Sequence, residues 1–188
     1  MRISFNQIKK YVQIPKDISD QQLIEVIGSR LVEIEDVIEL APKYQGIYVV
    51  KVVSCDPIPD THLHLCQIDA GEHTKEFSDG DTVQIVCGAP NVHAGMLAVW
   101  ITPGSIVPET YGNENFRLNV RKLRGYESNG MLAGADELDF DDEHKAIAEI
   151  DPKIAQPGDA LLDVFELDDI ILDVENKSLT HRPDCFGL

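Results

Sequence analysis

A series of short alternating segments in the middle of the chain restricts the fold more than any other feature of the sequence. Residues 47–53 form a nearly continuous β-branched run, and further along apolar residues recur at every second position. A period of two predicts strands with one buried face. The alternating sets are Cys66, Ile68 and Ala70; Val83, Ile85 and Cys87; Leu97, Val99 and Ile101; and Phe116, Leu118 and Val120. About five short strands are therefore expected.

Turn signals separate these predicted strands. Pro57-Ile58-Pro59-Asp60, Gly88-Ala89-Pro90-Asn91 and Pro103-Gly104 combine the residues that favour tight turns. Short strands with turns between them favour a small closed barrel, because closing the sheet hides its edges. A five-stranded OB fold is the economical interpretation, and a sandwich also fits the pattern.

Helices are predicted before the strands, and mixed structure after them. Ser4 with Gln7, and Ser19 with Gln22, fit capping boxes, in which side chains satisfy free amide groups at a helix start. The second helix is expected to stop at Gly28. After Gly134 comes an acidic stretch at residues 136–143, which predicts a solvated loop. A β-rich segment is expected at residues 161–172.

The charge of the chain argues against a wholly basic nucleic-acid-binding surface. The formal net charge is −17. Residues 136–188 hold four Lys and Arg against sixteen Asp and Glu, whereas residues 40–135 hold seven against ten. Most of the negative charge therefore lies in the last segment, and the near-neutral middle can still present a local basic face.

The sequence also restricts the compartment. No apolar run approaches the roughly 20 residues needed to cross a bilayer, and the first residues lack the pattern of a signal peptide. Cys55, Cys66, Cys87 and Cys185 are widely spaced, with no CxxC pair. Reduced thiols in a cytoplasmic protein without membrane contact are the expected state.

Five ordered motifs resemble one family. They are the segments Pro59–Gly71, Gln84–Val92 and Arg121–Leu132, the opening Ile3–Val12, and the last segment Asn176–Cys185. The first three resemble the tRNA-binding OB domain shared by several synthetases and free-standing tRNA-binding proteins. With the flanking motifs, the chain resembles the amino-terminal part of the bacterial phenylalanyl-tRNA synthetase beta subunit.

The resemblance implies an α+β, mostly β architecture. An OB barrel at residues 40–150 would be inserted in a small discontinuous winged-helix-like domain, formed by a helical segment at 1–39 and a segment at 151–188 that packs with it. The last segment would lead into a further domain of a longer chain.

The resemblance also implies a function in protein biosynthesis. The parent enzyme would be an aminoacyl-tRNA synthetase, an alpha2-beta2 ligase that uses ATP and Mg²⁺ to charge tRNA with phenylalanine. This fragment would be non-catalytic and would hold no cofactor itself. Its partners would be the alpha subunit and tRNA. A free-standing tRNA-binding protein and a structural module for protein contacts are the alternative interpretations.

The candidate tRNA-binding residues are Arg117, Arg121, Lys122, Arg124, Asn91 and Ser128. Alternation predicts that Arg117 and Arg121 share one face of a strand, opposite Phe116, Leu118 and Val120. Guanidinium groups there can bind phosphates with two hydrogen bonds each. The alternative is a solvated face paired with acids such as Glu127. Asn91 also fits a tight turn, and Ser128 fits the family's signature.

No metal or catalytic site is predicted. His62 and His64 lie near Cys55, Cys66 and Asp60 in sequence, but their spacing matches no common zinc pattern. The carboxylates at Asp139, Asp141, Asp142 and Glu143 lack the glycine and spacing of a calcium loop. Cys87 sits in an apolar alternation and is interpreted as a core thiol rather than a nucleophile.

Overall fold

The computed structural model describes residues 1–142 and 146–175. The chain divides into two compact units: Met1–Leu40 with Asp168–Leu188, and Ala41–Leu167. The motif at residues 176–185, which includes Cys185, and the carboxylate of Glu143 lie outside the described residues.

The described part of the chain contains ten strands and four α-helices. The strands are β1 (Arg2–Ser4), β2 (Glu33–Glu39), β3 (Ile47–Pro57), β4 (His64–Asp69), β5 (Val83–Cys87), β6 (Leu97–Ile101), β7 (Arg121–Leu123), β8 (Tyr126–Ser128), β9 (Met131–Leu132) and β10 (Ile170–Glu175). The helices are α1 (Phe5–Tyr11), α2 (Asp20–Arg30), α3 (Thr74–Phe77) and α4 (Leu161–Val164), with short 3-10 turns at Ala41–Tyr44, Gly71–His73 and Pro108–Thr110.

The first unit combines α1 and α2 with an antiparallel sheet in the order β1-β10-β2. Ser19 forms a complete capping box with Gln22, and Ser4 caps α1 by accepting from the backbone N–H of Gln7. Both predicted helix starts are therefore confirmed. The predicted stop at Gly28 is wrong, because α2 continues to Arg30.

The second unit is built on a five-stranded antiparallel sheet in the order β5-β4-β3-β6-β9. The sheet curls into a nearly closed barrel, as an OB fold requires, and the predicted barrel is confirmed. A register shift between Val52 and Ser54 interrupts the β3–β4 ladder and increases the local bend.

Two hydrophobic cores share the strands β3 and β6. Val50 and Trp100 lie in the barrel interior, whereas Val49 and Ile101 pack on the outer side against the covering segments. All five residues of β6 are buried, so the alternation expected at residues 97–101 does not separate a solvent-exposed face from a buried face. A strand covered on both faces needs apolar residues at consecutive positions.

The segment after residue 150 belongs to the barrel unit as far as Leu167, whereas the sequence placed the boundary between residues 150 and 151. The reason is local bonding: Val49 donates to Asp159 O, Gly158 donates to Val49 O, both at 2.8 Å, and Leu161 is fully buried. Residues 161–164 form the helical turn α4 rather than the expected strand.

Candidate nucleic-acid interface

The basic residues that the sequence singled out lie on and beside a two-stranded hairpin. Strands β7 and β8 pair antiparallel, with Arg121 opposite Ser128 and Lys122 opposite Glu127. The connecting residues Arg124 and Gly125 both have left-handed backbones, with φ of 51° and 93°. Positive φ at both central residues gives a two-residue turn whose twist matches that of the flanking strands. The sequence Arg-Gly thus places a cation at the hairpin tip.

Three cations of this hairpin are exposed. Arg121, Lys122 and Arg124 all project from the surface, and the Arg121 guanidinium lies 5.6 Å from the centre of the Phe116 ring. A cation over an aromatic face keeps its charge available while the ring limits its motion. Tyr126 is 38% exposed on β8 and adds a second aromatic side chain. The hairpin therefore joins positive charge with aromatic surface.

The predicted common strand for Arg117 and Arg121 is wrong. In the structure residues 116–120 form no regular strand. Arg117 makes a single β-bridge with Ile106, and its guanidinium donates to Gly104 O at 2.8 Å. Leu118 is buried, but Phe116 and Val120 are exposed. Period-two alternation failed here because the chain bonds to the residues 104–107 loop before it enters the hairpin.

The hairpin is fixed to the barrel through β5. Ser128 is buried; its hydroxyl accepts from Val86 N and donates to Gly130 O, each at 3.0 Å. Gln84 Nε2 donates to Glu127 O at 2.8 Å, and Gln84 O accepts from Asn129 N at 3.0 Å. These bonds replace a regular ladder between β5 and β8. The position of the cations therefore depends on side chains that carry no charge.

Asn91 and Ser128 use their side chains for hydrogen bonds within the protein. Asn91 Nδ2 donates to Ile147 O at 3.0 Å, and Asn91 Oδ1 accepts from Ile147 N at 3.1 Å. Both ends of the amide are thus used to hold a neighbouring segment.

The sequence analysis did not single out Gln84 as a functional residue, although its place in an alternating strand marked it as a residue that faces outward.

A cavity of about 370 Å³ lies beside the turn at Gly88–Pro90. Asp136 and Glu137 line its other side, and the Glu137 carboxylate accepts a hydrogen bond from Gly134 N. Carboxylates repel phosphate, so this cavity is a poor site for a nucleic-acid backbone. The basic hairpin is the better candidate.

The remaining candidates from the sequence are the possible metal ligands and the core thiol Cys87. No group of three or more His, Cys, Asp or Glu side chains is arranged to hold a metal ion in residues 1–142 and 146–175. Burial raises the pKa of Cys87, which lies in the barrel core as predicted. None of the described helices is long and apolar enough to span a bilayer.

The family of this barrel is identified by comparison with models of protein families. The model described as "Putative tRNA binding domain" matches residues 47–160, more than half of the chain. The chain belongs to this tRNA-binding domain family. The matched residues begin with β3 and run to the start of α4, so the basic hairpin lies inside the family domain.

The whole chain also aligns with longer proteins. It is 35% identical over 194 aligned residues to the phenylalanine–tRNA ligase beta subunits of Streptococcus pyogenes serotype M28 and of Streptococcus pneumoniae, and 34% identical to that of Streptococcus mutans serotype c. Each alignment covers 100% of this chain and 22% of the relative. The resemblance to the beta subunit that the motifs indicated is confirmed. The chain spans about a fifth of the length of these relatives.

Proposed function

We propose that this chain is the non-catalytic amino-terminal region of a phenylalanine–tRNA ligase beta subunit, and that its barrel binds tRNA through the basic hairpin. The observation that carries the proposal is the exposed set of Arg121, Lys122 and Arg124 on a hairpin with a two-residue turn, within a barrel of the tRNA-binding family. Whole-chain identity to beta subunits favours this over a free-standing tRNA-binding protein.

The chemistry of the hairpin suits a phosphate backbone. Each guanidinium offers parallel N–H donors that match two phosphate oxygens, and Lys122 adds a point charge. Tyr126 offers a ring on which an unpaired base can stack. Because the whole chain carries a net charge of −17, the attraction is local and is screened strongly by salt.

Amino-acid activation is assigned to other parts of the assembly. The parent ligase would use ATP and Mg²⁺ in the cytoplasm and pair this subunit with an alpha subunit in an alpha2-beta2 complex. The described residues do not fit a Mg²⁺–nucleotide site, since they hold no suitable cluster of acidic ligands. In this proposal the chain holds and orients tRNA, with Gln84 and Ser128 positioning the hairpin.

The test is tRNA binding by the 188-residue chain at several salt concentrations. We expect the double variant Arg121→Ala/Arg124→Ala to lose about tenfold or more in affinity, and its plot of log affinity against log salt to flatten by about one per lost phosphate contact. A matched control, Lys75→Ala/Lys153→Ala, removes two exposed charges outside the hairpin and should change neither value comparably. Equal losses in both variants would contradict a hairpin site.

A structural role for the barrel is the second candidate. Its supporting observation is that Asn91 and Ser128, two polar candidates for ligand contact, are used to hold neighbouring segments. Wild-type chain that fails to bind tRNA even at low salt would favour this role. Isolation of the native gene product then separates the remaining alternatives, because a beta subunit should be much larger than 20.9 kDa and bind a second subunit.

A further inference from the structure

Two cysteines lie directly opposite each other in the barrel. Cys55 on β3 pairs with Cys66 on β4 in the antiparallel ladder, and their Sγ atoms are 3.7 Å apart. Directly opposed residues in an antiparallel pair have Cα atoms about 4.5 or 5.5 Å apart. Both values lie in the range of about 4.4–6.8 Å that a disulfide spans. The backbone register therefore already satisfies the geometric requirement for a disulfide.

The two thiols differ in access. Cys66 is fully buried in the barrel core, whereas Cys55 is partly exposed at the end of β3. The Cys66 thiol donates to Cys55 Sγ, and the Cys55 thiol donates to Val92 O, also at 3.7 Å. An oxidant from solvent therefore meets Cys55 first, with Cys66 in contact behind it. This arrangement is that of a thiol that reacts with the oxidant and a second, resolving thiol beside it.

We propose that Cys55 and Cys66 form a redox-active dithiol, which a small hydroperoxide converts into a cross-strand disulfide. Only the sulfur atoms must move, since closing the separation from 3.7 Å to a bond of about 2.05 Å is within reach of side-chain rotation. The inference does not depend on tRNA binding.

The reaction balances with one hydroperoxide. Cys55 loses its proton, its sulfur attacks the O–O bond, and an alcohol (or water, from hydrogen peroxide) leaves with that proton. Cys55 is now a sulfenic acid. The Cys66 sulfur then bonds to the Cys55 sulfur, and the sulfenic hydroxyl leaves as water with the Cys66 proton. Two thiols supply the two electrons that reduce the peroxide.

Burial controls the rate and the product. Desolvation raises the pKa of the Cys66 thiol, and the neighbouring Cys55 and Cys87 add to this effect. Because the thiolate is the reactive form, Cys66 is protected from direct oxidation and reacts only with the sulfenic acid beside it. The resulting disulfide links β3 to β4 covalently near the end of β3.

A third thiol provides a control. Cys87 lies on β5 opposite His64, two residues along that strand from Ile85, which is the residue opposite Cys66. It is almost as buried as Cys66, and its Sγ accepts a hydrogen bond from Ala89 N. Cys87 is therefore similar in burial but lacks a directly opposed thiol partner. Cys87→Ala should leave the reaction unchanged.

The experiment uses the full chain with Cys185 replaced by Ser, so that the fourth thiol plays no part. After hydrogen peroxide treatment we expect an intact mass lower by two hydrogen atoms, and a Cys55–Cys66 cross-link in the peptide map. A phosphine reductant should reverse both changes. Cys87→Ala should behave in the same way. Cys66→Ala should instead leave a sulfenic acid on Cys55, detected with a dimedone probe.

Two results would overturn the proposal. One is a peroxide-treated chain whose three barrel thiols all remain unmodified. The other is a product without the Cys55–Cys66 bond, such as a Cys66–Cys87 disulfide or a sulfinic acid on Cys55 in the parent chain. The peptide map of the parent chain decides between these outcomes even where a variant folds poorly.

Discussion

The barrel strand β6 and the hairpin formed by β7 and β8 differ sharply in how much of their side-chain surface is buried. All five residues of β6 are buried, whereas Ser128 is the one buried residue among the six strand residues of the hairpin. Burial of apolar area, worth about 25 cal/mol per Å², stabilises the barrel. The hairpin is held instead by a few hydrogen bonds to β5. Charge on the hairpin can therefore change with little effect on the fold.

Two glycines with similar positive φ angles test this difference most strongly. Gly125 at the hairpin tip and Gly130 beside the barrel have φ of 93° and 83°. A Cβ at Gly130 would lie 2.2 Å from Ile101 O, but a Cβ at Gly125 would have nothing within 4 Å. We expect Gly130→Ala to cost about 4 kcal/mol or more, because steric overlap adds to backbone strain. Gly125→Ala should cost only about 1–2 kcal/mol.

Urea unfolding followed by the fluorescence of Trp100 measures both variants. Trp100 suits this purpose because it is fully buried in the barrel. Similar losses of unfolding free energy would mean that the hairpin is as tightly packed as the barrel, and the contrast between the two regions would then be lost.

Ser128 connects the two regions and should give an intermediate effect. Ser128→Ala leaves Val86 N and Gly130 O without their partner, which we expect to cost about 1–3 kcal/mol. Amide hydrogens of residues 126–128 should exchange faster as the hairpin loosens. The matched control is Asn91→Ala, which also removes two bonds to backbone. It should cost a similar amount without faster exchange in the hairpin; faster exchange in both variants would show a general loss of stability.

The smallest effect concerns the outer core and is confined to high pH. Burial, with the Asp139 carboxylate as a second cause, raises the pKa of Tyr44 to about 12. The pKa of a tyrosine in the unfolded chain is about 10, so the folded state binds this proton more tightly. The contribution is complete below pH 10 and is lost as pH rises through about 12. Tyr44→Phe should flatten the fall in unfolding free energy over this window; an unchanged profile would assign the fall to other groups.

Sequence pattern was reliable wherever local chemistry decides the structure. The capping box of Ser19 and Gln22 and the turn signal at Gly88–Pro90 needed no knowledge of distant residues. The stop expected at Gly28 failed because the helical hydrogen bonds continue past it, with Leu31 N donating to Ile27 O at 2.9 Å, and a helical glycine costs only about 1 kcal/mol. The boundary expected after residue 150 stays a prediction, and the hydrogen bonds between Val49 and residues 158 and 159 join the following segment to the barrel unit.

The candidate site divides in the same way. The sequence by itself determined the cluster of cations at residues 121–124, because charge belongs to individual residues. The left-handed backbone of Arg124 at the hairpin tip was found only in the structure. Only the tertiary structure decided that Ser128 and Asn91 are used internally, that Gln84 holds the hairpin, and that Cys55 faces Cys66. Those roles depend on which strands lie side by side, and strand register is set by the closure of the whole barrel rather than by any one segment.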